Sequence, residues 1–470
     1  MDTPERPPKK IVKREYRRQP RLPRNFNINL PEDALDRIIS FLPVKIGMRT
    51  SILSTRFQHS WKNSRILDFD QREMERSIFI KEVDRVFDLH FGPIIQTFRL
   101  NFIQIGVESY AQKWIEKSVE KKVEEVELNF LDAAVQFELS PEFFNIESLR
   151  MVKLNHCAVD LPPLLKGSTF LKTLVLKGTA QVSAAFIETI SKHCRSLEVL
   201  EITRCRGFSK LKILAENHKN FKVFKIGDCY DVADIEIVSP TLRSFHYHGK
   251  LILINISMAY QLEDVLFILS PTRQYIQFPL ARGFLSDIVH VTVLTTTAVF
   301  IEEATTNAFS DMNLVMRNLR ELQLFMQGSK FCNIYDLTCV LTNCPNLEKL
   351  FIDMNGFSFE GGHYWVEHHK QLFELYNVPM IKLRLIKIKG FKHQHHEMEM
   401  VKCLLQAATS LETLILVTAK SYRATARTLN LGTLESIPHS WKSSPNAEIK
   451  MYHADRSRID PTHRAKTWFR

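Results

Sequence analysis

Blocks of six residues with apolar side chains at the first, fourth and sixth positions recur along this chain. The clearest are 149–154 (L-R-M-V-K-L), 171–176 (L-K-T-L-V-L), 197–202 (L-E-V-L-E-I), 221–226 (F-K-V-F-K-I) and 242–247 (L-R-S-F-H-Y), whose starts lie 21 to 26 residues apart. Apolar–polar alternation over so few residues predicts a short strand with one face buried. A spacing of 20 to 29 residues leaves room for a return connection but not for a separate domain, so the strands are expected to stack in parallel. Weaker blocks follow at 262–267 and 291–295. Clear ones return at 319–324, 347–352, 383–388 and 411–416.

This is the L-x-x-L-x-L pattern of an irregular leucine-rich solenoid, an α/β architecture with a parallel sheet. Its rhythm begins earlier, with expected strands at 66–70, 97–102 and 123–130 and expected helices at 73–87 and 114–121. Helical patterns at 187–195 and 336–346 are expected on the convex side. The second, third and fifth positions of each block are then expected to face outward from a concave sheet. Leu149, Leu154, Leu171, Leu176, Leu197 and Ile202 are the expected repeat core. Cys157, Cys205 and Cys229 sit just after three of the strands, where repeats of this type turn a small polar residue inward. A zinc role is disfavoured for them, because one cysteine per coil has no supporting histidine pattern.

The period breaks at 353–380, which carries Asn355-Gly356, Gly361-Gly362, Trp365, His368 and His369 and is expected to be an insertion or loop. The cluster His393, His395, His396, Glu397 and Glu399 is expected in a solvated connector, so no metal site is assigned. Residues 425–470 turn polar and basic and are expected to form a poorly ordered tail.

Ahead of the repeats, residues 28–70 show helical spacing. Asn29 can cap a helix with Pro31, Glu32 and Asp33 in its first turn and Leu35, Ile38, Ile39 and Leu42 on its apolar face, ending at Pro43. A second helix over 45–53 carries Ile46, Ile52 and Leu53, and a third carries Phe57 and Trp61. Helices this short must pack on one another, and so small a module retains apolar residues to spare. Leu30, Pro31, Ile39, Leu42, Pro43 and Val44 are the expected interface set. Leu35, Ile38, Ile52, Leu53, Phe57 and Trp61 are the expected module core. An ordinary helical bundle with no docking role fits the periodicity equally well.

The same stretch resembles a plant F-box, through Leu30-Pro31, Ser40-Phe41-Leu42-Pro43, Thr50-Ser51-Ile52-Leu53-Ser54 with Arg56, and Trp61. Phe57 stands where that pattern usually has a second Trp. From 374 the chain resembles the plant FBD domain, through Val378-Pro379, 385–391 (L-I-K-I-K-G-F), a helix at 397–405 and the block at 409–416. The resemblance implies a plant F-box/FBD/leucine-rich-repeat protein, divided into a basic tail (1–27), F-box (28–70), solenoid (71–373), FBD-like cap (374–424) and second tail (425–470). It implies docking to a Skp-type adaptor and through it to a cullin–RING ubiquitin ligase, with the repeats selecting a protein substrate. Some leucine-rich F-box proteins complete that surface with a small hormone or an inositol phosphate, but nothing in this sequence fixes such a ligand and no cofactor is assigned.

Composition narrows the picture modestly. The apolar fraction of 45% and the 32 phenylalanines require a large buried interior. The net charge of +11 permits acidic partners, and Lys9-Lys10, Lys13-Arg14, Arg17-Arg18, Arg21 and Arg24 read as an import signal or a weak nucleic-acid tether. Nucleus and/or cytoplasm is the expected location. The eight cysteines form no C-x-x-C pair and are expected as free thiols in a reducing compartment. The most apolar stretch, 251–270, is interrupted by Asn255, Gln261, Glu263 and Asp264 and reads as buried strands rather than a membrane span. Phosphate-binding, zinc-protease and nucleophile-elbow motifs are absent, so a noncatalytic role is expected. A nonproteolytic interaction scaffold is the alternative, and a nucleic-acid-associated protein a more distant one.

Overall fold

A computed structural model describes residues 32–52, 59–72, 74–131, 135–160, 162, 165, 168–270, 278–298, 300, 315–326, 334–355, 379–418, 437–453 and 455–463. Among these, the dominant element is one parallel sheet of fifteen strands. Its order is β1 (Ile66–Asp70), β2 (Thr97–Phe102), β3 (Glu125–Phe130), β5 (Met151–Asn155), β7 (Thr173–Lys177), β8 (Val199–Thr203), β10 (Val223–Gly227), β12 (Ser244–Gly249), β14 (Asp264–Leu269), β15 (Val293–Thr297), β16 (Glu321–Phe325), β17 (Lys349–Asp353), β18 (Leu385–Phe391), β19 (Thr413–Thr418) and β20 (Glu448–Tyr452). Each strand pairs with the next coil's strand, the arrangement of an irregular leucine-rich solenoid.

Helices return the chain on the convex side: α3 (Arg76–Leu89), α4 (Glu108–Glu120), α5 (Ala184–His193), α6 (Phe278–Ile288), α7 (Ile334–Thr342) and α8 (His395–Ala407). The sequence marks several of their starts. The Glu75 carboxylate accepts from the N–H groups of Ser77 and Ile78, and Ser183 Oγ accepts from Phe186 N at 3.0 Å. Three coils use a strand instead of a helix. There β9 (Lys210–Leu214), β11 (Asp234–Val238) and β13 (Leu253–Asn255) form a second parallel sheet. β9 and β11 are not among the expected strands, although K-L-K-I-L and D-I-E-I-V alternate. A two-stranded pair, β4 (Phe137–Glu138) with β6 (Cys157–Ala158), completes the convex side.

Between the layers runs one continuous apolar core that includes Leu149, Leu154, Leu171, Leu176, Leu197 and Ile202. Aromatic rings fill it: Phe102 packs on Trp114 with centroids 5.3 Å apart, and Phe267 stacks on Phe284 at 4.4 Å.

The turn after each strand explains the cysteines. His156, Arg204 and Asp228 take left-handed φ values of 56°, 56° and 55°, and Gly178 takes 60°. Each left-handed residue aims its successor, Cys157, Cys205, Cys229 or Thr179, back toward the coil. Cys205 Sγ donates to the carbonyls of Leu176 at 3.6 Å and Thr203 at 3.4 Å, and Cys229 Sγ to Ile202 at 3.8 Å and Gly227 at 3.5 Å. Cys157 and Cys205 are fully buried and Cys229 is half-buried.

The N-terminal module is fused to this body. α1 (Glu32–Ser40) and α2 (Val44–Thr50) pack against a 3-10 turn at Ser60–Asn63, and Pro43 makes a parallel bridge with Ile66 of β1. Ser64 Oγ donates to Leu42 O at 2.7 Å, and Arg65 N to Ser40 O at 2.6 Å.

The structure corrects the expected tail. Residues 437–453 add a 3-10 turn at His439–Trp441 and the last strand, β20, while 455–463 lie on the concave face. Most of the expected insertion at 353–380, including Trp365, His368 and His369, lies outside the described residues, as does the basic stretch 1–27.

Candidate functional site on the concave face

The concave face divides into two chemically different halves. Cross-strand register puts Asp68, Arg99, Glu127, Lys153, Val175, Glu201 and Lys225 in one row over β1 to β10. This half is open and its charges alternate. Arg99 lies 3.8 Å from Asp68 and 3.6 Å from Glu127, and Lys153 lies 3.6 Å from the same glutamate. Such exposed pairs contribute little to stability, about 0–1 kcal/mol each, but they set a polar pattern for a partner to match.

The row continues as His246, Leu266, Thr295, Gln323, Phe351, Lys387 and Ile415 over β12 to β19. All of these side chains are buried, although they point away from the solenoid core. Leu266, Ile268 and Phe325 form an apolar cluster separate from the main core. The strand patterns record the change, from strict alternation in β8 to burial on both faces in β14, β16 and β19.

Part of the cover is the segment 455–463. Lys387, whose side chain is 0% exposed, pairs with Asp455 at 2.9 Å and donates to Ile459 O at 2.5 Å, while Lys389 reaches Asp455 at 2.7 Å. Thr462 N donates to Glu321 Oε1 at 2.6 Å. At the far end His463 Nε2 lies 2.7 Å from Asp264 Oδ1, and its Nδ1 lies 2.8 Å from Thr295 Oγ1. Ser244 Oγ donates to the same Asp264 oxygen at 2.8 Å.

The electrostatics follow from this packing. Burial lowers the Lys387 ammonium from its ordinary range, a shift opposed by Asp455. Burial would raise Asp455, but hydrogen bonds from Lys389, Lys387 and Ser457 outweigh it and bring the carboxyl down to about 2. Asp264 shows the same contest: burial raises it, and hydrogen bonds from His246, His463 and Ser244 carry it well below the usual carboxylate range. Burial lowers His246, favouring its neutral form.

The ligand atoms of His246, Asp264 and His463 lie within 4.8 Å of one another, a donor set that could hold a cation. The cluster also closes by hydrogen bonds alone, through Ser244 and Thr295. Of the cluster near 393, Glu399 is exposed as expected and His393 half-buried, the side chains of His395 and His396 lie outside the described residues, and Glu397 alone departs from a solvated connector. Glu397 is buried, its carboxylate accepts from the N–H groups of Lys392 and Gln394, and it caps α8.

The thiols among the described residues are unsuited to nucleophilic work. Burial pushes Cys205 up to about 11 and Cys194, Cys229 and Cys344 up to about 12. No helix among the described residues is long and apolar enough to cross a membrane.

In the N-terminal module the expected faces are partly exchanged. Ile39 and Val44, expected at the docking surface, are buried, whereas Ile38 and Ile52, expected in the module core, are 53% and 85% exposed. The reason is the solenoid: Val44 joins its core cluster, and Ile39 turns the same way, inward with Gly47 and Trp61. Leu42 and Pro43 are half-exposed and Trp61 is buried. Leu30, Pro31, Leu53, Phe57 and the Leu35 side chain lie outside the described residues.

The sequence reading did not single out Asp264, Lys387, Asp455 or His463 as a site. A signal was present in D-V-L-F-I-L at Asp264–Leu269 and T-L-I-L-V-T at Thr413–Thr418, where apolar residues occupy both faces. A strand buried on both sides needs a second cover.

Comparison with known proteins agrees with this architecture. The family described as At1g61320/AtMIF1, LRR domain, matches residues 86–455. The chain is 31% identical over 423 residues to the FBD-associated F-box protein At1g61320 of Arabidopsis thaliana, covering 87% of this chain and 92% of that protein. It is likewise 31% identical over 422 residues to the putative FBD-associated F-box protein At1g61330, covering 87% and 94%. To the F-box/FBD/LRR-repeat protein At1g78750 it is 24% identical over 445 residues, covering 87% and 93%. With near-full-length relatives that share both the F-box and the repeat body, this chain belongs to the plant family of FBD-associated F-box, leucine-rich-repeat proteins, a class of noncatalytic adaptors.

Proposed function

We propose that this protein is the substrate-selecting subunit of an SCF-type cullin–RING ubiquitin ligase, with its N-terminal module on a Skp-type adaptor and its concave sheet on a protein substrate. The observation that carries the reading is the apolar exposure of the module. Ile38, Phe41, Ile46, Met48 and Ile52 are 53%, 46%, 46%, 37% and 85% exposed, all within residues 38–52. Burying a fully exposed apolar side chain is worth about 1.5–3 kcal/mol, and a side chain already half-covered about half of that, so a partner gains by covering several together. Membership of the F-box family supports the choice of an adaptor of the Skp type as that partner.

The test is co-purification of the full chain with a Skp-type adaptor. Wild type is expected to bind, and Ile38→Glu with Ile46→Glu to weaken binding more than tenfold, with the thermal midpoint unchanged because both residues are exposed. Failure of wild type to bind, or equal binding by the double variant, rejects the docking assignment. Proximity labelling with and without proteasome inhibition separates a degradative role from scaffolding. Partners that accumulate on inhibition, with wild type but not with the docking variant, are substrates.

A further inference from the structure

Lys387, Glu321, Thr295 and Asp264 lie on β18, β16, β15 and β14, with buried or half-buried side chains on a face that an open solenoid would leave in water. What takes them out of water is not another strand of the sheet but the segment 455–463, which runs back across the strands. From β18 to β14 is four strand spacings, about 19 Å, and the eight residue steps from Asp455 to His463 can span about 26–29 Å. The segment therefore reaches across with slack, over more than the roughly 12 Å a helix of eight steps would cover. It has no regular secondary structure and bends at Thr462 and His463. It makes no ladder with any strand, and its anchors are a carboxylate, a backbone carbonyl, a backbone N–H and an imidazole. Apart from His463, which is buried, the segment stays largely exposed: Asp455, Arg456, Arg458, Ile459, Asp460 and Thr462 all remain so. This is the geometry of a bound peptide that happens to share the chain.

We propose that the concave face from β12 to β18 is a binding site for an extended peptide, and that the C-terminal segment fills it in cis until a partner peptide displaces it. The peptide that fits presents an Asp or Glu to Lys387 and Lys389 and, eight residues onward, a histidine to Asp264 and Thr295. Exchange is feasible because the anchors named above are separate polar contacts rather than a continuous ladder, and because every polar group the segment covers either returns to water or meets the same chemistry in the competitor. Tethering raises the segment's effective concentration to the millimolar range, so the site is guarded against weak ligands. The inference rests on the reading of the repeats as the recognition surface, and needs nothing of the adaptor.

The experiment measures fluorescence polarisation of a labelled nine-residue peptide with the sequence of 455–463, D-R-S-R-I-D-P-T-H, against the full chain. The full-length Asp455→Ala/His463→Ala variant, whose own segment is released, is expected to bind the peptide at least tenfold more tightly than wild type. Adding Lys387→Ala or Asp264→Ala to that variant is expected to abolish the gain. No gain in the released variant, or a gain that survives Lys387→Ala and Asp264→Ala, overturns the proposal. Amide exchange in wild type gives an arm that needs no variant. Excess unlabelled peptide is expected to speed exchange of the Thr462 amide, and unchanged exchange overturns displacement. Because no adaptor is present, failure here leaves the co-purification result standing, and the reverse holds as well.

Discussion

His463 and Asp264 stand 199 positions apart in the chain, and in the folded protein His463 Nε2 lies 2.7 Å from the Asp264 carboxylate. The contact exists only once the coils from β14 to β20 have stacked, so it reports on assembly of that half of the solenoid.

The carboxylates that hold the segment make its attachment acid-sensitive. Asp264 and Asp455 both titrate below their ordinary range in the folded chain, Asp455 at about 2. A lowered folded pKa contributes stability that is complete above the unfolded value of about 4 and is lost as pH falls through the folded one. Asp455→Asn should therefore lower the thermal midpoint relative to wild type at pH 6, and the difference should shrink between about pH 4 and about 2. A difference independent of pH over that range would contradict this linkage.

Lys387 is fully buried, and its ammonium depends on Asp455. Asp455→Asn leaves that charge without its carboxylate and should cost about 1–3 kcal/mol in urea unfolding. Lys387→Met removes the charge while keeping the stem's packing, and Asp455 retains Lys389 at 2.7 Å, so it should cost less. The double variant should be less destabilised than the two single effects added together. Strict additivity would mean that the pair is not coupled.

The thiols should resist modification until the fold opens. At pH 8 a thiol raised to about 11 or 12, as Cys205, Cys194 and Cys344 are, carries almost no thiolate. Native iodoacetamide treatment followed by mass spectrometry should find these three unmodified, and denaturation in urea should make all of them reactive. Modification of Cys205 in the folded chain would contradict its placement beneath the strand carbonyls.

Two glycines should differ in their tolerance of a methyl group. Both are left-handed, but a Cβ on Gly178 would meet the His156 ring at 2.5 Å, whereas one on Gly390 would meet the backbone of Asn355 and Met354 at 2.6 and 2.7 Å. A ring can rotate away, whereas the backbone just after β17, held by the Met354 N–H to Lys389 O at 2.8 Å, cannot. Gly178→Ala should cost about 1–3 kcal/mol and Gly390→Ala more, read from denaturant midpoints. Adding His156→Ala should recover part of the first loss and none of the second.

The coil-by-coil architecture was legible because each strand declares itself locally. The expected 66–70 and 97–102 coincide with β1 and β2, and the inward leucines of 149–202 are inside. Period-two alternation needs only one buried face, and the left-handed turn that aims Cys205 is set by its immediate neighbours. The F-box pattern was legible for the same reason, as a run of residues whose spacing is fixed by short helices.

Sequence by itself therefore determined the repeat, its period, the family and the absence of recognisable catalytic motifs. Tertiary structure alone decided which apolar residues of 38–52 face solvent, because Ile39 and Val44 are claimed by neighbours absent from any helical wheel. It also decided that polar residues near the C-terminus, read as a tail, cross the concave face to Asp264 and Lys387. A contact between side chains so far apart in the chain, 199 positions for Asp264 and His463, leaves no periodic trace in either segment. Only the stacking of the intervening coils brings the two within hydrogen-bonding reach.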